Sequence, residues 1–578
     1  MNARPAALVR DTLPGRWESA LFEAKAWAFR LRRALADLGG GRPRRHPWAA
    51  ALREAPVLAE FEGSLWPKDE ANDALVVGKI HNLRLAAQRM HGLEIPAGAT
   101  FGFWTQLGRA TTARGYVVGR ELREGCVIPA IGGGLCQLSN AIYDAAVRAG
   151  LEVVERHRHS RVLPGSLAEF DRDATVFWNY LDLRLRAPFA WRLEVELDAE
   201  RLRLCIRGNA PTVPNPHPIA LRARAAAAPG DCTSCGEEQC HRHVGPQAAT
   251  RHRTWLLFEP WPEFLALLER ERGEKDRVLG MPGKGRRAAF ASLARFHAAL
   301  KTRWSLWRNQ PLPKARGDGL EVAARAIARR LRFDDVHLVV EQGLLPWLWR
   351  AGELAGRRYD VLMNALPMDA IQQRLDRAAA LHPACATLRD FRAPAWLLEA
   401  ERAALAGAER LIGPHAQVLA AAGARAHGLE WTATARARQA PSRVDGRPVV
   451  LFPASALARK GILELVAALE GLDVTVLAPP GAAESADVWR NAAVEHVATI
   501  AEGLARADLV VLPAWVEHQP RSLLAAIARG IPVVATAACG LPDSASWRRV
   551  PEGDAAALRD AIVASLAAAM PLSRPAPR

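Results

Sequence analysis

The stretch Leu509-Val510-Val511-Leu512-Pro513-Ala514-Trp515-Val516-Glu517-His518-Gln519-Pro520-Arg521-Ser522-Leu523-Leu524, followed by Ala528-Arg529-Gly530-Ile531-Pro532-Val533-Val534-Ala535-Thr536, decides the fold class of the C-terminal half. A short apolar run stopped by a proline has the length of a strand buried on both faces. A carboxylate then sits in the loop, a helix starts, and a second apolar run follows Gly530 and Pro532. The same alternation extends outward. Pro448-Val449-Val450-Leu451-Phe452 precedes a helix from about Ile462, and Val474-Thr475-Val476-Leu477 comes next. Further upstream, Val336-His337-Leu338-Val339-Val340 and Tyr359-Asp360-Val361-Leu362-Met363 read as strands among Ala-rich helices. Strands alternating with helices imply parallel, doubly wound sheets, whose ligands bind at the carboxyl ends of the strands. Two Rossmann-like lobes are expected, at 275–435 and 446–570.

A helix N-terminus next to a loop carboxylate suits a phosphate on the helix dipole and a hydroxyl on the carboxylate. With Ala458-Arg459-Lys460-Gly461 and Glu409-Arg410-Leu411-Ile412-Gly413-Pro414-His415, the stretch resembles the group 1 (family 4) glycosyltransferases of GT-B fold, over about residues 325–570. The resemblance implies a nucleotide sugar as donor, an acceptor the sequence does not name, and a role in cell-envelope or polysaccharide metabolism. It implies that Lys460 neutralises phosphate, with Arg459 or Arg521 as its second cation, and that Glu517 contacts the donor sugar or ribose. Two positions depart from the family. The second Glu, eight residues after Glu517, is Ala525, and the Arg five residues before Lys460 is Ser455. A degenerate module that binds without transferring is the alternative these departures leave open.

Residues 75–210 have a different texture, glycine-punctuated early and strand-like late, which reads as an α+β domain. Ile131-Gly132-Gly133-Gly134-Leu135-Cys136-Gln137-Leu138-Ser139 leads into a helical pattern to Val147. Glycines reach backbone conformations closed to other residues. A helix beginning beside Cys136 puts free N–H groups and a positive dipole end at the thiol. Arg156-His157-Arg158-His159-Ser160 and Asp173-Ala174-Thr175 follow. Cys136, His159 and Asp173 are therefore the parts of a thiol-nucleophile triad for acyl transfer or hydrolysis. The alternative is a small buried Cys where nothing larger fits. Ala174-Thr175-Val176-Phe177-Trp178, Arg192–Leu197 and Arg203–Ile206 read as strands.

The GGG-x-CQ-x-S run, R-x-x-H-S, DAT, Asn82, Phe101, Phe103, Tyr143 and Asp182 resemble the VanW family over roughly residues 78–207, with Gly102 where that family has Ser. The resemblance implies association with the cell envelope and assigns no chemistry.

Between the two regions, residues 211–250 read as a linker carrying a compact knuckle, Cys232-x2-Cys235-x4-Cys240-His241-x-His243. Thiolates two residues apart turn around one metal, and Cys240 with His241 or His243 completes four soft ligands for zinc or an iron–sulfur centre. A reduced loop with solvated histidines is the alternative.

The chain of 578 residues carries a formal charge of +16, yet only eight of its 77 basic residues are Lys. That is codon bias toward Arg rather than a nucleic-acid footprint, since no basic block is interleaved with aromatics. Residues 1–50 hold ten basic and four acidic side chains, with Trp17, Leu21, Ala28, Leu35 and Leu38 on one helical face. This helix is expected to dock on the next domain with its Arg residues in water. The alternative is peripheral contact with an anionic membrane. Arg4, Arg10, Asp11 and Arg16 interrupt any signal-peptide core, and no apolar run reaches the ~18 residues of a spanning helix. The expected location is the cytoplasm, soluble or at the inner face of the membrane.

Overall fold

The computed structural model describes residues 16–37, 43–66, 73–123, 126–159, 167–178, 180–210, 252–280, 296–304, 312–432, 447–490, 492–542 and 547–569. The knuckle residues Cys232, Cys235, Cys240, His241 and His243 lie outside the described residues, as do Ser160 and Leu38. The chain divides into two compact units. One is Met1–His252 with Leu331–His337 and Gly352–Arg358, and the other is Arg253–Arg330, Leu338–Ala351 and Tyr359–Arg578. No helix among the described residues is long and apolar enough to cross a membrane.

The first unit is α+β. Strands β1 (Val57–Ser64), β2 (Leu93–Ile95), β8 (Trp191–Leu197) and β9 (Arg201–Gly208) form an antiparallel sheet in the order β1-β9-β8-β2. β3 (Thr100–Gly102), β6 (Glu152–Glu155) and β7 (Arg184–Arg186) form a second sheet, and β4 (Val118–Arg123) pairs with β5 (Cys126–Ile131). β9 alternates exposed and buried along its length, the period-2 pattern of a sheet with one wet face. Its inward side chains Leu202, Leu204 and Ile206 pack in one core with Phe101, Trp191, Ile80 and Leu138 from the neighbouring strands and the helices Asp73–Met90 and Leu135–Arg148. The run Ala174–Trp178, expected as a strand, joins no ladder. Only Phe177 bridges, to Leu181. Its backbone is instead taken by side chains: Asn140 Oδ1 accepts from the Ala174 N–H at 2.8 Å and Ser139 Oγ donates to the Ala174 carbonyl at 2.6 Å.

The second unit holds two six-stranded sheets. The first, with β10 (Arg253–Leu256), β11 (Arg277–Leu279), β12 (His337–Glu341), β13 (Arg358–Leu362), β14 (Leu411–Gly413) and β15 (Ala426–Gly428), runs in the order β11-β10-β12-β13-β14-β15. It begins at Arg253, upstream of the expected boundary at 275. The second, with β16 (Val449–Leu451), β17 (Thr475–Ala478), β18 (Ala493–His496), β19 (Leu509–Leu512), β20 (Val533–Thr536) and β21 (Trp547–Val550), is parallel throughout in the order β18-β17-β16-β19-β20-β21. That is the doubly wound 3-2-1-4-5-6 order, whose topological switch lies between β16 and β19. β19 and β20 are buried at every residue, which is why Leu509–Leu512 and Val533–Ala535 are unbroken apolar runs, and the buried Thr536 hydroxyl that follows donates to the Ala514 carbonyl. These are the two Rossmann-like lobes expected of a GT-B-type module.

The helix Arg16–Ala36 docks, but through the side opposite to the expected one. Arg33 forms a two-bond pair with Glu155 at 2.6 and 2.8 Å, Arg30 Nε donates to the Trp178 carbonyl at 3.2 Å, and Ala26 is buried. Trp17, Leu21, Ala28 and Leu35 face solvent instead. Carboxylates gathered at the docking surface, Glu155 and Asp182, select the arginine face of the helix over its apolar face.

Candidate functional site

In the first unit the glycine run is a turn that only glycine can make. Gly134 has φ 103°, and a Cβ there would meet Lys79 Cγ at 2.1 Å. A Cβ on Gly133 would strike the Gly119 backbone at 2.4 Å. Asn82 pins the turn by donating to the Gly133 and Val117 carbonyls, both at 3.0 Å. The helix Leu135–Arg148 starts directly after Gly134, so Cys136 stands in its first turn, partly open to solvent.

His159 and Asp173 arrive from the far side. Asp173 is fully buried; its Oδ2 accepts from His159 Nδ1 at 2.7 Å and from the His159 backbone N–H at 2.6 Å, while Arg156 donates to its Oδ1 at 2.9 Å. Arg156 is itself backed by the Tyr143 ring, 4.7 Å from its guanidinium carbon. A carboxylate on Nδ1 fixes the tautomer and aims the other ring nitrogen outward. Burial alone would lower the His159 pKa, but Asp173 and Cys136 outweigh it and raise it to about 9. Burial likewise pushes Asp173 up, and the His159 and Arg156 contacts overcome that, so its carboxyl lies below its ordinary value. Thiol and imidazole thus both line a cleft of about 610 Å³, with the carboxylate buried behind the imidazole. Trp104 and Trp178 line it, with Lys79, Arg109 and Arg120. Lys79 was not singled out in the sequence. It is buried, donates to the Leu65 carbonyl at 2.5 Å, and is lowered to about 7 by burial and by the charge of Arg120.

In the second unit, Lys460 follows β16 and Glu517 follows β19, so both stand at the switch point between those strands. They meet: Lys460 Nζ lies 2.8 Å from Glu517 Oε2 and donates to the Val516 carbonyl at 3.1 Å. Burial raises Glu517, but Lys460 and the Gln519 N–H outweigh it, and its pKa lies below the ordinary value. Around this pair stand three nitrogen-bearing side chains that the sequence does not mark as site residues. His415, from the lobe of β10–β15, donates from Nε2 to the Glu517 carbonyl (2.9 Å), and its Nδ1 is buried without a hydrogen bond. His518 Nε2 and Arg374 Nη1 are likewise buried without a hydrogen bond, the latter 3.9 Å from a Glu552 carboxylate oxygen. Burial, with His415, Lys460 and Arg374 nearby, lowers His518 to about 4. The clue was present, since His518 adjoins Glu517 and His415 closes the quoted end of the first lobe, but only folding brings them and Arg374 together.

Arg459 and Arg521 are engaged elsewhere. The Arg459 guanidinium lies 5.0 Å over the Phe391 ring. Arg521 binds both oxygens of Glu263, at 2.7 Å each, and ties the first turn of the helix Arg521–Ala528 to the helix Pro262–Glu271 of the other lobe. Ala525 packs on the apolar core of the C-terminal lobe.

Two family models match. Residues 78–207 match that described as VanW like protein, and residues 447–568 that described as Glycosyl transferases group 1. The vancomycin B-type resistance protein VanW of Enterococcus faecalis is 31% identical over 152 residues, 25% of this chain and 55% of that protein. The protein YoaR of Bacillus subtilis is 35% identical over 114 residues, 19% of this chain and 35% of that protein. The chain therefore spans between about a third and about half of the length of these relatives. Among solved structures, sucrose-phosphate synthase from Thermosynechococcus elongatus aligns with a TM-score of 0.32 and 19% identity, over 44% of this chain and 70% of that one. Anabaena HepE in complex with UDP-glucose aligns with a TM-score of 0.32 and 17% identity, over 54% and 89%. The two-lobe reading rests on strand order rather than on these alignments. The chain carries a VanW-like domain over 78–207 and a group 1 glycosyltransferase-like domain over 447–568.

Proposed function

We propose that the α/β module binds a nucleotide sugar and transfers its sugar in cell-envelope or polysaccharide metabolism. One observation carries this reading: His415 Nδ1, His518 Nε2 and Arg374 Nη1 are buried without hydrogen bonds near Lys460, at the switch point of the C-terminal sheet, and Arg374 Nη1 has one carboxylate near it, Glu552 at 3.9 Å. Buried polar atoms without partners are costly, and a site that collects several of them with a lysine is built for a ligand whose negative charge draws protons onto the imidazoles and accepts from them. A diphosphate does so, and ligands of doubly wound sheets bind at this end of the strands. The group 1 glycosyltransferase match covers the same lobe, and HepE is a neighbour whose structure was solved with UDP-glucose. Glu517 is placed to read a hydroxyl of the sugar or ribose once the diphosphate draws Lys460 away.

The test is calorimetric titration with UDP, GDP and their sugars, followed by a donor-hydrolysis assay. Lys460→Ala should weaken nucleotide binding by about tenfold or more, the worth of one charge-assisted contact. No heat or thermal shift with any of these donors at millimolar concentration would reject the reading. A second reading, binding without transfer, is favoured by Ala525, whose methyl packs on the core where the family has a carboxylate. Binding with neither hydrolysis nor transfer would select it. The Cys232, Cys235, Cys240, His241 and His243 set is proposed to hold zinc or an iron–sulfur centre. Metal content well below one equivalent, in protein purified without chelator, would reject that site.

A further inference from the structure

The VanW-like domain holds a second constellation that sugar transfer does not use. From it we infer that Cys136 is a nucleophile, with His159 as its proton carrier and Asp173 as the residue that positions His159, acting on an amide or ester whose acyl group carries a carboxylate. This is independent of the nucleotide-sugar reading.

Four observations converge. The carboxylate Asp173, buried and held by Arg156, grips His159 through both the ring and the backbone N–H, leaving the ring no freedom to turn away. The Cys136 thiol joins Asp173 in raising the pKa of the imidazole so held, while its own hydrogen bond runs to the Val176 carbonyl at 3.7 Å. Cys136 and His159 both open onto the same cleft. And the thiol stands in the first turn of a 14-residue helix, where the Gln137 N–H is taken by the Gly134 carbonyl at 2.9 Å and the N–H groups of Leu135 and Cys136 have no acceptor within the helix. A core cysteine that merely fills a gap needs none of these. A nucleophile needs all of them: a base within reach, an orienter behind the base, donors for the oxyanion, and room for substrate. The acyl group is argued from the cleft's cations. Arg30, Arg109 and Arg120 line it against a single carboxylate among the described residues, Glu121, and Lys79, lowered to about 7, packs against the Gly134 turn that precedes Cys136. Cationic side chains in a partly water-excluded cleft favour an anionic ligand.

The step balances without redox. With the thiol proton on His159, Sγ attacks the acyl carbon, an S–C bond forms, and the carbonyl pair moves to oxygen, where the first-turn N–H groups receive it. On collapse the C–N or C–O bond breaks, and His159 gives its proton to the leaving nitrogen or oxygen. Water or an acceptor amine or hydroxyl then attacks the thioester and returns a proton through His159, restoring the thiol.

The full chain mixed with p-nitrophenyl hemiglutarate, an anionic ester, should release a burst of p-nitrophenolate near one equivalent, with the added glutaryl mass on the peptide containing Cys136. The neutral p-nitrophenyl butyrate should react about tenfold more slowly, the worth of one charge-assisted contact. Cys136→Ala should abolish the burst, and His159→Asn should slow acylation about 100-fold. Asp173→Asn provides the positioning readout. It should move the limb of the acylation–pH profile near 9 down toward the ordinary histidine value of about 6.5, a change that lost packing alone does not produce. Each variant is first matched to wild type by melting temperature. Should Asp173→Asn melt early, Cys136→Ser and His159→Asn carry the test. Acylation that persists in Cys136→Ala, falls on other residues, or keeps its pH profile in His159→Asn would overturn the inference.

Discussion

The VanW-like cleft and the switch point of the C-terminal lobe both gather charge inside the protein, and they balance it in opposite ways. In the cleft the charges behind the thiol are backed in series. Arg156 backs Asp173 and Asp173 backs His159, and this leaves Cys136 facing open space. At the switch point the charges close on each other. Lys460 holds Glu517, Arg521 holds Glu263, and the atoms left over are the buried nitrogens of His415, His518 and Arg374. The first arrangement is complete before a substrate arrives. The second has an internal partner to surrender, so a ligand must compete with Glu517 for Lys460. A site of the first kind should be costly to the fold when broken, and one of the second kind cheap to the fold but costly to binding.

The largest expected effect follows from that contrast. Asp173→Ala strips Arg156 and His159 of a shared buried carboxylate and should destabilise the domain by about 3–5 kcal/mol, as breaking a buried pair does. Glu517→Gln, at a site that can rearrange, should cost under about 1 kcal/mol. Urea denaturation of both variants checks this, and equal losses would erase the distinction between the two regions.

Next is the pH dependence of the cleft. His159 is raised to about 9 in the folded protein against an unfolded value near 6.5. The stabilisation from its protonated form is therefore fully present below pH ~6.5 and is lost as pH rises through about 9, roughly 3 kcal/mol in all. Asp173 acts at the other end. Its depressed pKa stabilises the fold above the ordinary carboxyl range and is lost only in acid. The urea midpoint should fall between pH 6.5 and 9.5 in wild type and stay flatter in His159→Asn. A wild-type curve as flat as the variant's would mean the imidazole gains nothing from its partners.

A smaller effect is expected where the lobes are tied. Arg521→Ala leaves Glu263 buried with one backbone donor, the Thr432 N–H at 2.8 Å, and should cost about 1–3 kcal/mol. Glu263→Gln with Arg521→Gln should recover part of that, because no charge is left unpaired. If the single variant instead weakens UDP-sugar binding while the melting temperature stays put, Arg521 serves the ligand, as its position at a helix start first suggested.

How much of this could be read from the sequence depends on whether the information is local. The unbroken apolar runs at 449–451, 509–512 and 533–536 are strands buried on both faces, and they are legible because nothing else so short is so apolar. β21, Trp547–Val550, with Arg548 and Arg549 exposed, and β18, Ala493–His496, are edge strands without that run, and they passed unread. Cys136, His159 and Asp173 could be named because each sits in a motif. Lys79 could not, since its role comes from a helix, Asp73–Met90, that meets the glycine turn only in three dimensions. Arg374 was invisible for the same reason. Ala174–Trp178 misled because β-branched and aromatic residues also suit a cleft wall, where side-chain groups of Ser139 and Asn140 replace the ladder.

The smallest expected effect concerns the helix Arg16–Ala36, where the first region's habit of turning charge inward reaches the surface. Leu21 and Leu35 are 48% and 61% exposed, whereas Arg33 is held by Glu155 and Asp37. By burial alone, Leu21→Ser with Leu35→Ser should change stability by no more than about 0.5 kcal/mol, as exposed positions do, while Arg33→Ala should cost about 1–2 kcal/mol for the carboxylate it abandons. Hydrophobicity read from the sequence gives the reverse order, because an amphipathic helix ordinarily buries its apolar stripe. The two orders are thus a direct contest between sequence periodicity and the carboxylates waiting at the docking surface. A larger stability loss from the serines than from Arg33→Ala would return the apolar face to the interior.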